Sequence, residues 1–168
     1  MIKIDILDTI SDKDMEEILD TWESSVRATH DFLSEEDIIS IKPYVKEGAK
    51  HVGKFLCVRD EENTIKAFMG IEDFKIEMLF VSDECRGKGI GKSLVEYAVK
   101  TLNVNYVDVN EQNPQALGFM NMSDLKCLKN LSLMSKVIPS QYFIWNWNKK
   151  GVSFLIHLLK NYSIGLDF

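Results

Sequence analysis

Residues 78–99 read MLFVSDECRGKGIGKSLVEYAV. A strand-like apolar run gives way to a glycine-rich loop carrying Arg86, Lys88 and Lys92, and the loop feeds straight into an amphipathic helical pattern. Glycines in such a loop let backbone N–H groups come close to a ligand, and the N-terminus of the following helix adds partial positive charge. That combination suits a phosphate group. Gly91-Lys92-Ser93 imitates the end of a nucleotide-binding P-loop, but the first glycine of that pattern would fall on Arg86. The dinucleotide pattern G-x-G-x-x-G fails too, because Lys92 stands where its third glycine belongs. What fits is R-x-x-G-x-G, formed by Arg86, Gly89 and Gly91. It suits a pyrophosphate, with Arg86, Lys88 and Lys92 helping to neutralise the charge. The bland alternative is a surface turn with a basic helix start. A strand on one side and an amphipathic helix on the other weigh against it.

Outward from this loop the chain alternates strands and helices. Ile2–Leu7 alternates apolar and polar residues like a half-buried strand. Ser11-x-x-Asp14 caps a helix with Met15, Ile18, Leu19, Trp22 and Val26 at helical spacing. Ser34-x-x-Asp37 opens a second helix, which Pro43 is expected to interrupt or re-aim. Phe55–Arg59 and Thr64–Ile71 read as a hairpin around the polar turn Asp60–Asn63. Lys75–Val81 is a further strand, the loop and a helix to about Leu102 come next, and Val104–Val109 is the next strand. Asn113-Pro114 starts another helical turn. The order implies a mixed sheet with a parallel pair at its centre.

A chain of 168 residues can bury a core without metal or disulfide staples. Its net charge of −6 argues against a nucleic-acid scaffold, which needs clustered Lys and Arg. Cys57, Cys85 and Cys127 form no C-x-x-C pair, so neither a disulfide framework nor a zinc site is expected. Cys57 reads as a packed small hydrophobe, and Cys85 lacks a histidine nearby in sequence that would make it a nucleophile. Lys3, Asp5 and Asp8 break up any leader-like run, and Val152–Leu159 is too short to span a bilayer. The expectation is a cytoplasmic monomer or homodimer, with no metal, nucleic acid or membrane partner.

The stretch 78–99, with VDVNEQNPQALGF at residues 107–119, resembles the central motifs of GNAT-family N-acetyltransferases. WESSVRATHDFL at residues 22–33 further resembles a bacterial subfamily of small GNATs. The resemblance covers residues 1–119. It implies an α/β fold: a mixed, mostly antiparallel sheet with a central, splayed parallel pair (Lys75–Val81 and Val104–Val109) and helices on both faces. It further implies acetyl-CoA as co-substrate, with the pantetheine arm between those two strands and the pyrophosphate on the loop Arg86, Gly87, Lys88, Gly89, Ile90, Gly91 and Lys92. The acceptor would be a primary amine of a small molecule or peptide. A non-catalytic acyl-CoA-binding module, and more remotely a P-loop nucleotide binder, are the alternatives.

Acetyl transfer from a thioester to an amine needs a base for the amine, a donor for the carbonyl oxygen and a proton for the departing thiolate. By resemblance the backbone of Leu79, Phe80 and Val81 supplies the donor and lies along the pantetheine. Glu77, two residues before Leu79 and so on its face by strand alternation, is the candidate general base, acting directly or through water. Its bland alternative is a solvated strand carboxylate. His30, between the first two helices, is a candidate wall of the acceptor site. Asn110 and Asn113 flank the wedge, and Asn113 matches a position that contacts coenzyme A.

The resemblance breaks after Phe119. Where the family has its general-acid tyrosine, this chain has Met120, and NMSDLKCLKNLSLMSK after it has no family counterpart. Inserting one nucleotide after the Phe119 codon sets two bases of every following codon. A permitted choice of the remaining bases reads YEYVGFEVFEKSELDEQGNPFPIFHMELE and then a stop within the Asn148 codon. That reading restores the tyrosine, a Gly-Phe and a final alternating strand. Residues 1–119 are therefore expected to form the acetyltransferase core, with residues 120–168 an aberrant, frameshifted tail and the last family strands absent or replaced.

Overall fold

In the computed structural model, residues 2–29, 33–107 and 126–127 are described. Asp5–Leu7 (β1) is followed by Asp12–Thr29 (α1), Glu35–His51 (α2), Lys54–Arg59 (β2), Ile65–Glu72 (β3) and Lys75–Val81 (β4). A single 3-10 turn, Asp83–Cys85, then leads to Ile90–Leu102 (α3), Tyr106–Val107 (β5) and Lys126–Cys127 (β6). The strands form one sheet in chain order. Pairing is antiparallel from β1 to β4, and parallel for β4 with β5 and β5 with β6.

The helix starts are set by their caps. At α2 the Ser34 hydroxyl accepts from the Asp37 N–H at 3.2 Å, and the Asp37 carboxylate accepts from the Ser34 N–H at 3.0 Å. Ser11 and Asp14 repeat the arrangement at α1, with bonds of 3.1 and 3.3 Å. Pro43 does not end α2: the helix runs through it to His51. The donor it lacks would serve the Ile39 carbonyl, and both residues are exposed, so water can replace it.

The sheet carries a core on each face. Met15, Ile18, Trp22 and Val26 of α1 and Ile38, Ile41 and Val45 of α2 cover Phe55, Phe68, Met78 and Phe80. On the other face Leu94, Val95 and Ala98 of α3 pack on Leu56, Met69, Leu79 and Val81. Cys57 is fully buried in the first core, and burial pushes its thiol up to about 11. α1 is also anchored by charge: Arg59 of β2 reaches Asp14 at 2.5 Å and Glu17 at 3.3 Å, and Glu17 accepts the Ile65 N–H. No helix among the described residues is long and apolar enough to cross a membrane.

Two features of β4 shape the region around the glycine loop. The strand is joined to β3 by a tight turn in which Asp73 and Phe74 both have positive φ, 46° and 61°, the conformation of a type I′ hairpin. It also carries a bulge: Ile71 of β3 faces Ile76, but Gly70 faces Met78, leaving Glu77 as the extra residue. Gly70 makes the bulge possible, since a Cβ there would lie 2.7 Å from the Met78 Cγ.

Candidate active site

The bulge falls at Glu77 itself. Strict alternation puts residues 77 and 79 on one face, yet Ile76 and Leu79 share the α3-side core while Met78 lies in the opposite one. Ile76 and Met78, two residues apart, cannot lie on opposite faces without an inserted residue, which is Glu77, and the alternation from Met78 to Leu79 is not broken by it. Glu77 is not a solvated strand carboxylate. Its side chain is 6% exposed and forms a 2.8 Å ion pair with Lys75. The bulge falls next to the parallel pairing, where Lys75 faces Tyr106 and Ile76 faces Val107.

Beyond the bulge, β4 presents backbone donors on its β5 side. The Ser82 N–H donates to the Lys66 carbonyl of β3 at 2.9 Å. Donor direction alternates along a strand, so the Phe80 N–H points towards β3, and those of Leu79 and Val81 point away from it. Among the described residues no strand stands opposite Leu79 and Val81 on that side. The segment Leu79–Val81 thus splits: Leu79 and Val81 point donors away from β3 with no strand opposite among the described residues, whereas Phe80 serves the β3 ladder and the α1-side core.

β4 ends at Val81, Ser82 caps the 3-10 turn Asp83–Cys85, and the turn leads to Arg86. Gly87 and Gly89 have φ of 71° and 78°, and a Cβ at either would meet nothing within 4 Å among the described residues. The left-handed conformation selects glycine, and the empty space above it is where a ligand can approach the backbone. Gly89 caps α3, whose first free N–H groups open on the same loop. Lys88 and Lys92 are exposed at this edge, Arg86 and Ile90 are half-buried, and Gly91 is buried beneath. The geometry makes an anion cradle at the end of the central strand.

The cradle is held from outside by residues the motif does not contain. Ser24 of α1 accepts the Asp83 N–H at 3.1 Å. Lys66 of β3 reaches Glu84 at 2.6 Å and Asp60 at 3.5 Å. Glu84, first, and then Asp60 hold the Lys66 ammonium above the usual lysine range. No sequence signal marks these partners, because Ser24 lies 59 residues from Asp83. Cys85 is half-buried and packs against the α3-side core. His30, Asn110, Asn113 and Met120 lie outside the described residues.

Comparison with known proteins agrees with this arrangement. The model of the acetyltransferase (GNAT) family matches residues 10–122. Peptidyl-lysine N-acetyltransferase YjaB of Salmonella typhimurium is 34% identical over 111 residues, which are 66% of this chain and 76% of that protein. The solution structure of apo YjaB from Escherichia coli superposes with a TM-score of 0.59 at 32% identity, over 71% of this chain and 80% of that one. The PaiA N-acetyltransferase of Thermoplasma acidophilum, solved in complex with coenzyme A, shares the fold at 22% identity and a TM-score of 0.51, over 71% and 87%. A strand bulged at a buried glutamate and a glycine-rich turn at a helix start thus coincide with a family match over residues 10–122: the protein belongs to the acetyltransferase (GNAT) family.

Proposed function

We propose that the chain binds acetyl-CoA with its pyrophosphate on the loop Arg86–Gly91 and transfers the acetyl group to the primary amine of a lysine side chain in a peptide or protein. The open cradle at Gly87 and Gly89, set at the N-terminus of α3, is the observation that carries this. Bound acetyl-CoA supplies an activated thioester. The chain's own groups do the rest. The N–H groups of Leu79 and Val81, which point away from β3, would donate to the thioester carbonyl oxygen. Glu77 takes a proton from the acceptor ammonium, directly or through one water, and so frees the lone pair that attacks. The lysine acceptor is supported by the YjaB relatives, which are peptidyl-lysine N-acetyltransferases. A small-molecule amine is the alternative acceptor.

The same proposal reads residues 120–168 as out of frame. The family match ends at residue 122. The 111 aligned residues are 76% of the Salmonella relative, which leaves roughly 35 of its residues unmatched. The shifted reading after Phe119 supplies a run of comparable length, with tyrosine in place of Met120. In the chain as written, methionine cannot protonate the departing thiolate. This favours a second reading, a protein that binds acetyl-CoA and turns it over slowly or not at all.

Calorimetry with acetyl-CoA, free coenzyme A and ATP tests the binding reading. Tight ATP binding without coenzyme A binding would overturn it. Incubation with acetyl-CoA and a lysine-peptide library, followed by mass spectrometry, then tests the acceptor. Binding without acetylation of any amine selects the non-catalytic module.

A further inference from the structure

Two carboxylates stand immediately before the cradle. Asp83 and Glu84 are exposed and lie within three residues of Arg86, at the edge where a pyrophosphate must arrive. Left alone, they oppose the attraction of Arg86, Lys88 and Lys92, because like charges a few ångströms apart at a surface repel. Glu84 is not left alone. The Lys66 ammonium, anchored on β3 and 25% exposed, sits 2.6 Å from its carboxylate. Lys66 is also pinned by Asp60 at 3.5 Å, and its own carbonyl takes the Ser82 N–H at the start of the loop. On the other side Ser24 of α1 holds the Asp83 N–H. The Lys66 backbone is fixed in β3, and its ammonium is held between Glu84 and Asp60 of the β2–β3 turn.

We infer that Lys66 is a positioning residue for anion binding: it cancels the Glu84 charge at the mouth of the cradle and so raises the affinity of the loop for a pyrophosphate-bearing ligand without touching it. This rests on the proposed seat of the pyrophosphate at Arg86–Gly91. It differs from a simple structural tether in a checkable way. If the pair only held the loop in shape, losing either partner would weaken binding. If Lys66 cancels charge, only the loss of the lysine does so, and loss of the carboxylate is neutral or favourable.

The test is calorimetry on the full chain with acetyl-CoA and with S-acetylpantetheine, which lacks the pyrophosphate. Lys66→Met is expected to weaken acetyl-CoA binding about two- to fivefold, the range of a partly exposed pair, and to leave S-acetylpantetheine unchanged. Glu84→Gln, at an exposed position that does not threaten folding, is expected to bind acetyl-CoA as well as the parent or more tightly. The double variant is expected to recover parental affinity, and raising the salt to shrink all differences. Unchanged affinity in Lys66→Met overturns the inference, and so does a Glu84→Gln loss equal to that of Lys66→Met. Gly89→Val separates the two levels: if it leaves acetyl-CoA affinity intact, the loop is not the seat and the proposed function falls with the inference. If it abolishes affinity while Lys66→Met does nothing, only the inference falls.

Discussion

Lys75 and Glu77 form a 2.8 Å ion pair within β4, which pairs antiparallel with β3 and parallel with β5, and Glu77 is the extra residue of its bulge. A carboxylate that is 6% exposed costs free energy unless it is paired or hydrogen-bonded. Its burial at the bulge, two residues before Leu79, is what supports the proposed role in proton transfer. Glu77→Gln keeps size and polarity but removes the proposed base. Acetyl transfer is expected to fall about 10²–10⁴-fold with acetyl-CoA affinity unchanged, as read by initial rates and calorimetry. Equal losses of affinity and rate would assign Glu77 to binding instead.

Gly89→Val forces a β-branched residue into a left-handed conformation and fills the space above the cradle. The backbone term alone is about 1–2 kcal/mol. Acetyl-CoA affinity is expected to fall tenfold or more, with a modest drop in melting temperature. Calorimetry and thermal melts of the same sample separate the two effects.

Gly70→Ala tests the bulge. The added methyl meets the Met78 Cγ at 2.7 Å, close to its strand and not at a free end of the side chain. Overpacking of this kind costs about 1–3 kcal/mol. Urea unfolding is expected to show that loss. A backbone shift at Glu77 is expected to lower transfer even where the fold survives.

Acid unfolding is governed by the carboxylates that α1 and α2 hold. The hydrogen bond from Arg59, and next that from Ser11, lowers Asp14; Lys42, and next Arg27, lowers Glu23; Ser34 lowers Asp37. A lowered folded-state pKa stabilises the fold above the unfolded value, and that contribution is lost as pH falls through the folded one. Melting temperature is therefore expected to hold from neutral pH down to the ordinary carboxylate range, 3.8 for Asp and 4.5 for Glu, and to fall below it. Arg59→Met is expected to cost about 1.5–3 kcal/mol at neutral pH, as a hydrogen bond to a charged group is lost, and to flatten part of the acid slope.

Inserting one nucleotide after the Phe119 codon gives the shifted ending with its tyrosine. The restored protein is expected to melt at a higher temperature and to transfer acetyl groups faster than the chain as written. Parity in melting temperature, acetyl-CoA affinity and transfer would make residues 120–168 a working part of this protein.

Much of the fold and the loop was legible in the residues alone, because it depended on local causes. Helix starts come from Ser11/Asp14 and Ser34/Asp37, whose bonds span three residues. β4 comes from an unbroken apolar run, and the cradle from glycines that a left-handed backbone requires. The order of strands and helices then leaves few ways to build a mixed sheet with a central parallel pair. Other features depended on groups far apart in the chain. Asp73-Phe74 has no glycine to announce a turn of positive φ, and the β3–β4 ladder supplies what the turn lacks. Pro43 reads as a breaker, but α2 continues because its face is buried and the orphaned Ile39 carbonyl is on the outside. The bulge at Glu77 exists only in the pairing of Gly70 with Met78, and periodicity within one strand is blind to it. Lys66 and Ser24 reach the cradle from β3 and α1 across separations that no sequence window contains. Local hydrogen bonding and backbone sterics wrote the elements and the loop; only packing between distant segments decided which charges face it.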